Sequence, residues 1–220
     1  MKPADRYEQV ARLHARGIDQ GFLSTLGTRF LSLLYEAIDG SSQSVLLTHE
    51  EDGRIVGFVS GSLGLGTVYR SLLRRPLRLA ASLAPVLLSP RRLWRVIEIL
   101  LHSRKSGRID QRDLPTAELL SIVVEPQWRG CGIAESLYGR LKSHFRRTGQ
   151  LSFQIVVGEA LGPAHRFYRR MGAEPAGGLT VHGHARSIVY VQRVAAADGA
   201  AVGSPQSKDN PGCTSGRVGQ

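Results

Sequence analysis

The chain has 220 residues, 42% of them hydrophobic, which is enough for one α/β domain with a real core. Its longest uncharged apolar run is the stretch between Arg78 and Arg91, which is too short to span a bilayer. Met1 to Gly17 lack the apolar centre of a signal peptide. We therefore expect a cytoplasmic protein, which could still lie peripherally on a membrane.

The formal net charge of +11 is concentrated in one segment. Tyr69 to Ile109 contain ten Arg or Lys residues and a single acid, Glu98. A field of this strength favours an anionic partner, such as a phosphate-bearing cofactor, a nucleotide-linked substrate, anionic lipid or nucleic acid. Charge alone does not choose among these partners.

Two amphipathic helices and a hairpin are predicted ahead of the basic segment. In the second helix, apolar residues from Leu26 to Ile38 recur at three- and four-residue spacing, and Gly40 ends it. Residues 44–48 and 55–60 are rich enough in β-branched and aromatic side chains to be strands, and a polar turn at 51–53 joins them.

The basic segment, residues 66–112, is predicted to be a helical insertion in two pieces. A first helix, kinked or delayed at Pro76, has an apolar face formed by Leu72, Leu73, Leu77 and Ala80. A second helix begins at Ser89 and Pro90 and ends at Gly107. The insertion either packs its leucines on the domain, or uses residues 70–108 to contact an anionic membrane or an anionic substrate.

Strands and helices alternate from Thr116 onwards. The predicted elements are a buried strand, an amphipathic helix, a second buried strand, a short helix and a final hairpin, at 119–125, 132–147, 151–157, 163–171 and 179–194. This order predicts an α/β (α+β) domain with a mixed sheet flanked by helices, spanning residues 1–195 with the insertion. Residues 196–220 are small and polar, and we expect a disordered tail.

The loop that joins the predicted strand at 119–125 to the predicted helix at 132–147 has features typical of an anion-binding site. The first N–H groups of a helix have no partners within it, and its dipole adds positive charge there. Gly130 and Gly132 allow a pyrophosphate to approach the backbone, and Arg129 supplies a full positive charge. The loop is neither a P-loop nor a dinucleotide fingerprint. A glycine-rich turn without a ligand is the alternative.

Two motifs resemble those of the GNAT acetyltransferases. The first is V-x-P-x-x-R-G-x-G-I-A from Val124 to Ala134, and the second is A-x-x-F-Y-x-x-x-G from Ala164 to Gly172. The resemblance covers roughly residues 7–194. It implies the GNAT fold, a mixed and mostly antiparallel sheet that is splayed at the coenzyme site, with acetyl-CoA as the acyl donor and no metal.

The same resemblance implies where the coenzyme lies. Backbone groups of Ile122 and Val124 would pair with pantetheine, and an N–H near Val123 would face the thioester oxygen. The remaining coenzyme contacts that the resemblance implies are Gln127, Trp128, Arg129, Gly130, Cys131, Gly132, Ile133, Ala134 and Phe167. Leu161 stands where many relatives have an asparagine that helps to hold coenzyme A.

The resemblance further implies transfer of an acetyl group to a primary amine by direct attack in a ternary complex. Glu118 would take the proton of the amine, and the alternative is an acid that only solvates a strand end. Tyr168 matches the tyrosine that protonates the departing thiolate, and the alternative is a tyrosine packed on the sheet.

The acceptor is the least determined part of the prediction. Residues 21–38 resemble those of bacterial GNAT members linked to surface-polysaccharide synthesis, which points to an amino sugar or a nucleotide-linked amino sugar. His14 and Phe22 are candidate substrate contacts, although His14 could equally lie at the surface or partly in the core. His182 and His184 lack a third ligand nearby, so we expect no metal site there.

Other functions remain open at this stage. The fold could serve a catalytically silent acyl-CoA-binding module, or a module that binds a membrane surface or nucleic acid through the basic helices. We expect a small-molecule amine as partner rather than nucleic acid, and a homodimer is left open.

Overall fold

The computed structural model describes residues 3–18, 22–87, 114–181 and 185–194. In chain order the elements are α1 (Pro3–Gly17), α2 (Phe22–Thr25), α3 (Gly27–Asp39), β1 (Ser44–Glu51), β2 (Arg54–Ser62), α4 (Gly66–Leu73), α5 (Pro76–Leu87), β3 (Glu118–Val124), a 3-10 turn (Pro126–Trp128), α6 (Ile133–Arg147), β4 (Ser152–Gly158), α7 (Gly162–Arg170), β5 (Glu174–Val181) and β6 (Ala185–Arg193). The predicted helix at 89–107, the tail at 196–220, and His182 and His184 lie outside the described residues.

The strands form a six-stranded sheet in the order β1-β2-β3-β4-β6-β5. All neighbouring pairs are antiparallel except β3 and β4, which are parallel. The predicted mixed, mostly antiparallel sheet flanked by helices is therefore confirmed.

The two faces of the sheet are covered by different parts of the chain. Helices α1 and α3 share one buried cluster with Phe58 of β2 and Val123 of β3. Helix α6 shares the second cluster with Val59 and with apolar residues of β4, and it buries the predicted row Ile133, Leu137, Leu141 and Phe145. Because β3 contributes to both clusters, it lies at the centre of the domain.

Pro76 does not kink a continuous helix but begins the separate helix α5. Proline has no N–H and a fixed φ, which suits the first turn of a helix and not its interior. The break changes the direction of the chain, so the predicted apolar face is not continuous. Leu72 is buried, whereas Leu73 and Leu77 are 69% and 85% exposed.

Strand β5 begins at Glu174, five residues before the predicted position. Pro175 and two glycines conceal the strand pattern, and the register shifts between Pro175 and Gly177. A proline is tolerated there because β5 is at the edge of the sheet, where one side needs no ladder hydrogen bonds. In α7 the buried residue is Tyr168, while Ala164, Phe167 and Met171 are only partly buried.

Within the described ranges, no helix is long and apolar enough to cross a membrane. No group of three His, Cys, Asp or Glu residues in this part of the chain could hold a metal ion.

Candidate functional site

The sheet opens between β3 and β4. Their parallel pairing is limited to two residue pairs, Glu118 with Gln154 and Leu119 with Ile155, although both strands continue for several residues. On the other side of β3, the register with β2 slips so that Leu120 has no partner. Such a bulge bends a strand and increases its twist. The bend carries the second half of β3 away from β4 and leaves its edge unpaired.

The backbone direction along this edge follows from one hydrogen bond. The amide of Glu125 donates to the carbonyl of Val56 in β2, at 2.8 Å. Alternate residues of a strand direct their backbone N–H and C=O groups to the same side. The backbone groups of Val123 therefore also face β2, and those of Ile122 and Val124 face the opening. An amide near Val123 was expected at the thioester oxygen; the amide of Val123 itself faces β2, and the neighbouring amides that face the opening are those of Ile122 and Val124. The side chain of Val123 packs in the cluster with α1 and α3.

The loop after β3 ends in a row of uncapped helix amides. The first hydrogen bond of α6 runs from the Ser136 amide to the Gly132 carbonyl, at 2.9 Å. The amides of residues 133–135 therefore have no partner within the helix. Gly132 occupies the N-cap, and no side chain of the described residues caps the helix. The row is free to bind an anion.

Gly130 and Gly132 are required by backbone conformation. Their φ angles are +81° and +77°, in the left-handed region that favours glycine. A Cβ atom built on either would meet nothing within 4 Å, so crowding by the protein is not the reason for glycine. The space beside both residues is open to a ligand.

A pocket of about 360 Å³ lies between this loop and α7. Arg166 and Arg170 line it, together with seven residues that the resemblance to the family implies as coenzyme contacts. The seven are Val124, Trp128, Arg129, Gly130, Ile133, Ala134 and Phe167. The Nε of Arg129 donates to the Val124 carbonyl at 3.3 Å, which fixes its guanidinium beside the helix amides. Arg170 is paired with Glu135 at 2.6 Å. Charge and amides together make this pocket suited to phosphates.

Glu125 fastens the loop to the rest of the domain. Its side chain is buried and accepts hydrogen bonds from Arg54 and, at 3.4 Å, from Arg16. The side-chain amide of Gln127 donates to the second carboxylate oxygen of Glu125 at 3.2 Å. The side chain of Gln127 therefore turns back towards Glu125, and any contact of this residue with the coenzyme is left to its backbone.

The sequence matches the family model described as the Acetyltransferase (GNAT) family over residues 18–173. This chain belongs to the GNAT family. None of the curated proteins matches it.

Solved structures show the same GNAT fold at low sequence identity. An N-acetyltransferase from Staphylococcus aureus Mu50 is 12% identical over 87% of this chain and 94% of its own, with a TM-score of 0.56. An aminoglycoside 6'-N-acetyltransferase complexed with coenzyme A is 12% identical over 86% and 91%, with a TM-score of 0.54. The ribosomal-protein-S18-alanine N-acetyltransferase from Escherichia coli is 11% identical over 87% and 89%, with a TM-score of 0.51.

Tyr168 lies on α7 next to Phe167, which lines the pocket. Its ring is buried among the rings of Tyr138, Phe167 and Tyr190. Its hydroxyl makes no hydrogen bond to any residue in the described ranges, so it is available to a ligand. Burial raises the pKa of Tyr168, which makes the hydroxyl a weaker acid than an ordinary tyrosine.

His165 positions α7, and the sequence analysis missed it. Its Nε2 lies 3.0 Å from the carbonyl of Gly158, the last residue of β4, and its Nδ1 lies 3.0 Å from the hydroxyl of Tyr190. A carbonyl only accepts, so Nε2 carries the proton and Nδ1 accepts from the tyrosine. The imidazole thus fastens the helix that carries Tyr168 to the end of β4. In the sequence, only the position of His165 within the motif from Ala164 to Gly172 could have indicated that it has a role at the site.

Glu118 is the first residue of β3 and lies where β3 and β4 are still paired. It is half-buried rather than fully solvated, and burial raises the pKa of its carboxyl group. A carboxylate with a raised pKa is a stronger base than a surface glutamate. The position and the environment fit a proton acceptor at the narrow end of the opening.

His14 does not line an open pocket but is 2% exposed in the core beneath α1. Its Nδ1 lies 2.6 Å from the hydroxyl of Tyr35, and its ring stacks on Phe58. An acceptor cannot touch His14 in this arrangement, which corrects the expectation of a substrate contact. The side chain of Phe22 lies outside the described residues.

The buried His14 is expected to make the protein sensitive to acid. Burial lowers the pKa of His14 to about 4, from 6.5. Below pH 6.5 the side chain of His14 is protonated in the unfolded chain, whereas in the folded chain it stays neutral until the pH approaches 4. The free energy of unfolding therefore falls by about 3 kcal/mol towards pH 4. Urea unfolding at several pH values should show this slope, and the His14→Gln variant should lose it. Parallel slopes for the two proteins would contradict the assignment.

Leu161 occupies the N-cap of α7, is 40% exposed, and makes no side-chain cap there. The amide that an asparagine could cap here, that of Ala164, already donates to the Leu161 carbonyl at 3.0 Å, and Pro163 has no N–H. Leu161→Asn is therefore expected to have a Tm within about 1 °C of that of Leu161→Ala, which removes the leucine without adding an acceptor. A Tm about 2–4 °C higher in the asparagine variant would show that the asparagine caps α7.

Proposed function

We propose that the protein transfers an acetyl group from acetyl-CoA to a primary amine. The observation that carries this proposal is the opening between β3 and β4, which leads to the row of free amides at the start of α6. An unpaired strand edge suits the amides of pantetheine, and a helix N-terminus beside Arg129 suits a diphosphate.

The coenzyme would be held mainly by backbone groups. The amides of residues 130–134, Cys131 among them, would bind the diphosphate, and Arg129 and Arg166 would balance its charge. The edges of Ile122 and Val124 would pair with pantetheine, whose chain would then lead towards Glu118. Trp128 and Phe167 would cover the apolar side of the chain. The reactive end of the coenzyme would then lie at the narrow end of the opening.

The reaction proposed is direct attack within a ternary complex. The acceptor arrives as an ammonium ion, and Glu118 takes its proton directly or through a water molecule. The amine nitrogen then forms a bond to the acetyl carbon, and the amide of Ile122 donates to the oxygen that becomes negative. The nitrogen, which after the attack still carries two hydrogens and a positive charge, gives one proton to water as the C–S bond breaks, and the products are the N-acetylated amine and the thiolate of coenzyme A.

Tyr168 would assist the leaving group. A tyrosine of ordinary pKa, about 10, is already a weaker acid than a thiol of pKa about 8.5. Burial raises the pKa of Tyr168 further, so complete transfer of its proton to the thiolate is uphill. We therefore assign Tyr168 a hydrogen bond to the departing sulfur, and the thiolate gains its proton from water as the coenzyme leaves.

The acceptor that we propose is an amino sugar, either free or nucleotide-linked. The resemblance of residues 21–38 to polysaccharide-linked relatives supports this class. A groove of about 370 Å³ along α1 could receive the acceptor. Arg12, Arg16 and Arg54 line this groove, and because they are paired with only two carboxylates of the described residues, Glu8 and Glu125, one net positive charge is left for an anionic group on the acceptor. Leu13, Arg16 and Glu125 of this groove also line a second pocket, of about 220 Å³, that reaches the end of β3.

A thiol-release assay with acetyl-CoA tests the reaction and the acceptor together. The panel contains free amino sugars, nucleotide-linked amino sugars, an aminoglycoside, polyamines and a peptide with an N-terminal alanine. Release with an amino sugar above the rate without acceptor is the expected result. Release only with another amine keeps the acetyltransferase and overturns the acceptor. Binding of acetyl-CoA without release for any amine favours the silent acyl-CoA-binding module instead.

A further inference from the structure

Helix α4 presents three different rows of side chains. Val68 and Leu72 form a row buried against the domain. Tyr69 and Leu73, one position further, form a row that is 55% and 69% exposed. Arg70 and Arg74 form a third, exposed row beside it. Residues four apart share a face of a helix, so an apolar row and a basic row lie side by side at the surface.

Leu77 follows Leu73 by four positions in the chain, lies at the start of α5 just after the turn between the two helices, and is 85% exposed. We call Tyr69, Arg70, Leu73, Arg74 and Leu77 the α4–α5 surface. Single exposed leucines are common in soluble proteins, whereas neighbouring ones indicate a contact surface. Three of the seven large exposed hydrophobic side chains in the described ranges belong to this short stretch. Burial within the domain therefore does not explain them.

The charges around this surface are of one sign. Arg75 and Arg78 both pair with Glu36 of α3, the second of them at 3.0 Å, so this group of three keeps one net positive charge. No carboxylate of the described residues pairs with Arg70 or Arg74. The sequence that follows, up to Ile109, adds six more Arg or Lys residues and one acid. Unpaired guanidinium groups beside exposed apolar side chains are complementary to an anionic and partly apolar partner.

We propose that the α4–α5 surface docks the protein on an anionic lipid bilayer. Tyr69, Leu73 and Leu77 enter the boundary between head groups and acyl chains, and Arg70 and Arg74 pair with lipid phosphates. Nucleic acid would use the arginines but leave the two leucines in water. A bilayer uses both rows at once. This function is separate from acetyl transfer and does not depend on it.

Cosedimentation of the full chain with vesicles tests the proposal. One set of vesicles contains phosphatidylglycerol and phosphatidylcholine, and the other contains phosphatidylcholine alone. The protein is expected to bind the anionic set and to be released as salt is raised. The pair Arg70→Gln and Arg74→Gln should lower the partition coefficient about 30-fold. The pair Leu73→Ser and Leu77→Ser should lower it about tenfold.

Matched controls separate the surface from the overall positive charge. Arg146→Gln with Arg147→Gln removes two exposed charges from the end of α6, and Leu151→Ser changes a leucine that is 74% exposed elsewhere. Both controls should bind the anionic vesicles as the unchanged protein does. All of the substituted side chains are exposed, so thermal melting should show that every variant is folded.

Four results would overturn the proposal. They are equal binding to both vesicle sets, no binding to either, equal losses in the control variants, and vesicle binding that the leucine pair leaves unchanged. If vesicles do not bind but an oligonucleotide binds through Arg70 and Arg74, the surface is a nucleic-acid site. If they do not bind but sedimentation velocity shows a dimer that the leucine pair dissolves, the surface joins two copies of the chain.

Discussion

Replacing Glu118 by Gln is expected to lower kcat/KM for acetyl transfer by about 10²- to 10⁴-fold at pH 7. The amine arrives protonated, and glutamine cannot accept its proton. The Kd for acetyl-CoA should stay unchanged, because Glu118 lies at the paired end of β3 and does not line the phosphate pocket beside Arg129. Thiol-release kinetics measure the first quantity, and calorimetry measures the second.

The pH dependence of the two proteins should differ in a defined way. Burial raises the pKa of Glu118 above the ordinary value of 4.5, so kcat/KM of the unchanged enzyme should rise through a pKa above that value and then level off. In the Glu118→Gln variant the amine must lose its proton to water. Its activity should therefore keep rising with pH until the pKa of the amine itself is reached.

Glu50→Gln is the control for this variant, since it changes an exposed glutamate of β1 and should leave the kinetics unchanged. If Glu118→Gln retains the activity and the pH profile of the unchanged protein, Glu118 has no part in proton transfer. If the variant also loses acetyl-CoA binding, Glu118 shapes the coenzyme site, and the loss of turnover says nothing about a base.

The features that the sequence predicts well are those encoded locally. The helix α6 follows from the spacing of its apolar row, and its start follows from glycines at positions whose φ is positive. The strand before it is apolar from Leu119 to Val124 except at Ser121, as expected for a strand buried on both faces. Strand, loop and helix are adjacent in the chain, so most residues that line the pocket beside Arg129 could be named from the sequence alone.

The features that the sequence does not predict depend on contacts between distant residues. The bond between His14 and Tyr35 spans 21 positions, and the bond between His165 and Tyr190 spans 25. Nothing in the local pattern distinguishes these two histidines from surface histidines. The bulge at Leu120 is equally invisible, because it exists only in the register between β2 and β3. The backbone direction of Val123 depends on that same register.

Strand β3 lies between the pocket beside Arg129 and the groove along α1, because its side chains point alternately to the two faces of the sheet. Side chains at successive positions reach opposite clusters, Val123 that of α1 and α3 and Val124 that of α6. The phosphate pocket and the arginine-lined groove along α1 consequently lie on different sides of this strand. Coenzyme and acceptor would then approach from opposite faces and meet where the strand edge is exposed.

Replacing Gly132 by Val is expected to raise the Kd for acetyl-CoA by about 100-fold or more. Gly132 has a φ of +77°, and a β-branched residue is strained there. The backbone would relax towards negative φ and turn the amides of residues 133–135 away from the diphosphate. A loss of two charge-assisted hydrogen bonds accounts for an effect of this size. Calorimetry at low ionic strength measures the change directly.

Gly149→Val is the matched control for strain alone. Gly149 has a φ of +76°, a Cβ atom there would also meet nothing within 4 Å, and it lies just beyond the other end of α6. Both variants should therefore lose similar amounts of unfolding free energy, and only Gly132→Val should lose binding. If both bind acetyl-CoA as the unchanged protein does, the helix amides do not hold the diphosphate. If both fail to bind, strain anywhere in the fold is enough to explain the loss, and the amides beside Gly132 have no special part in it.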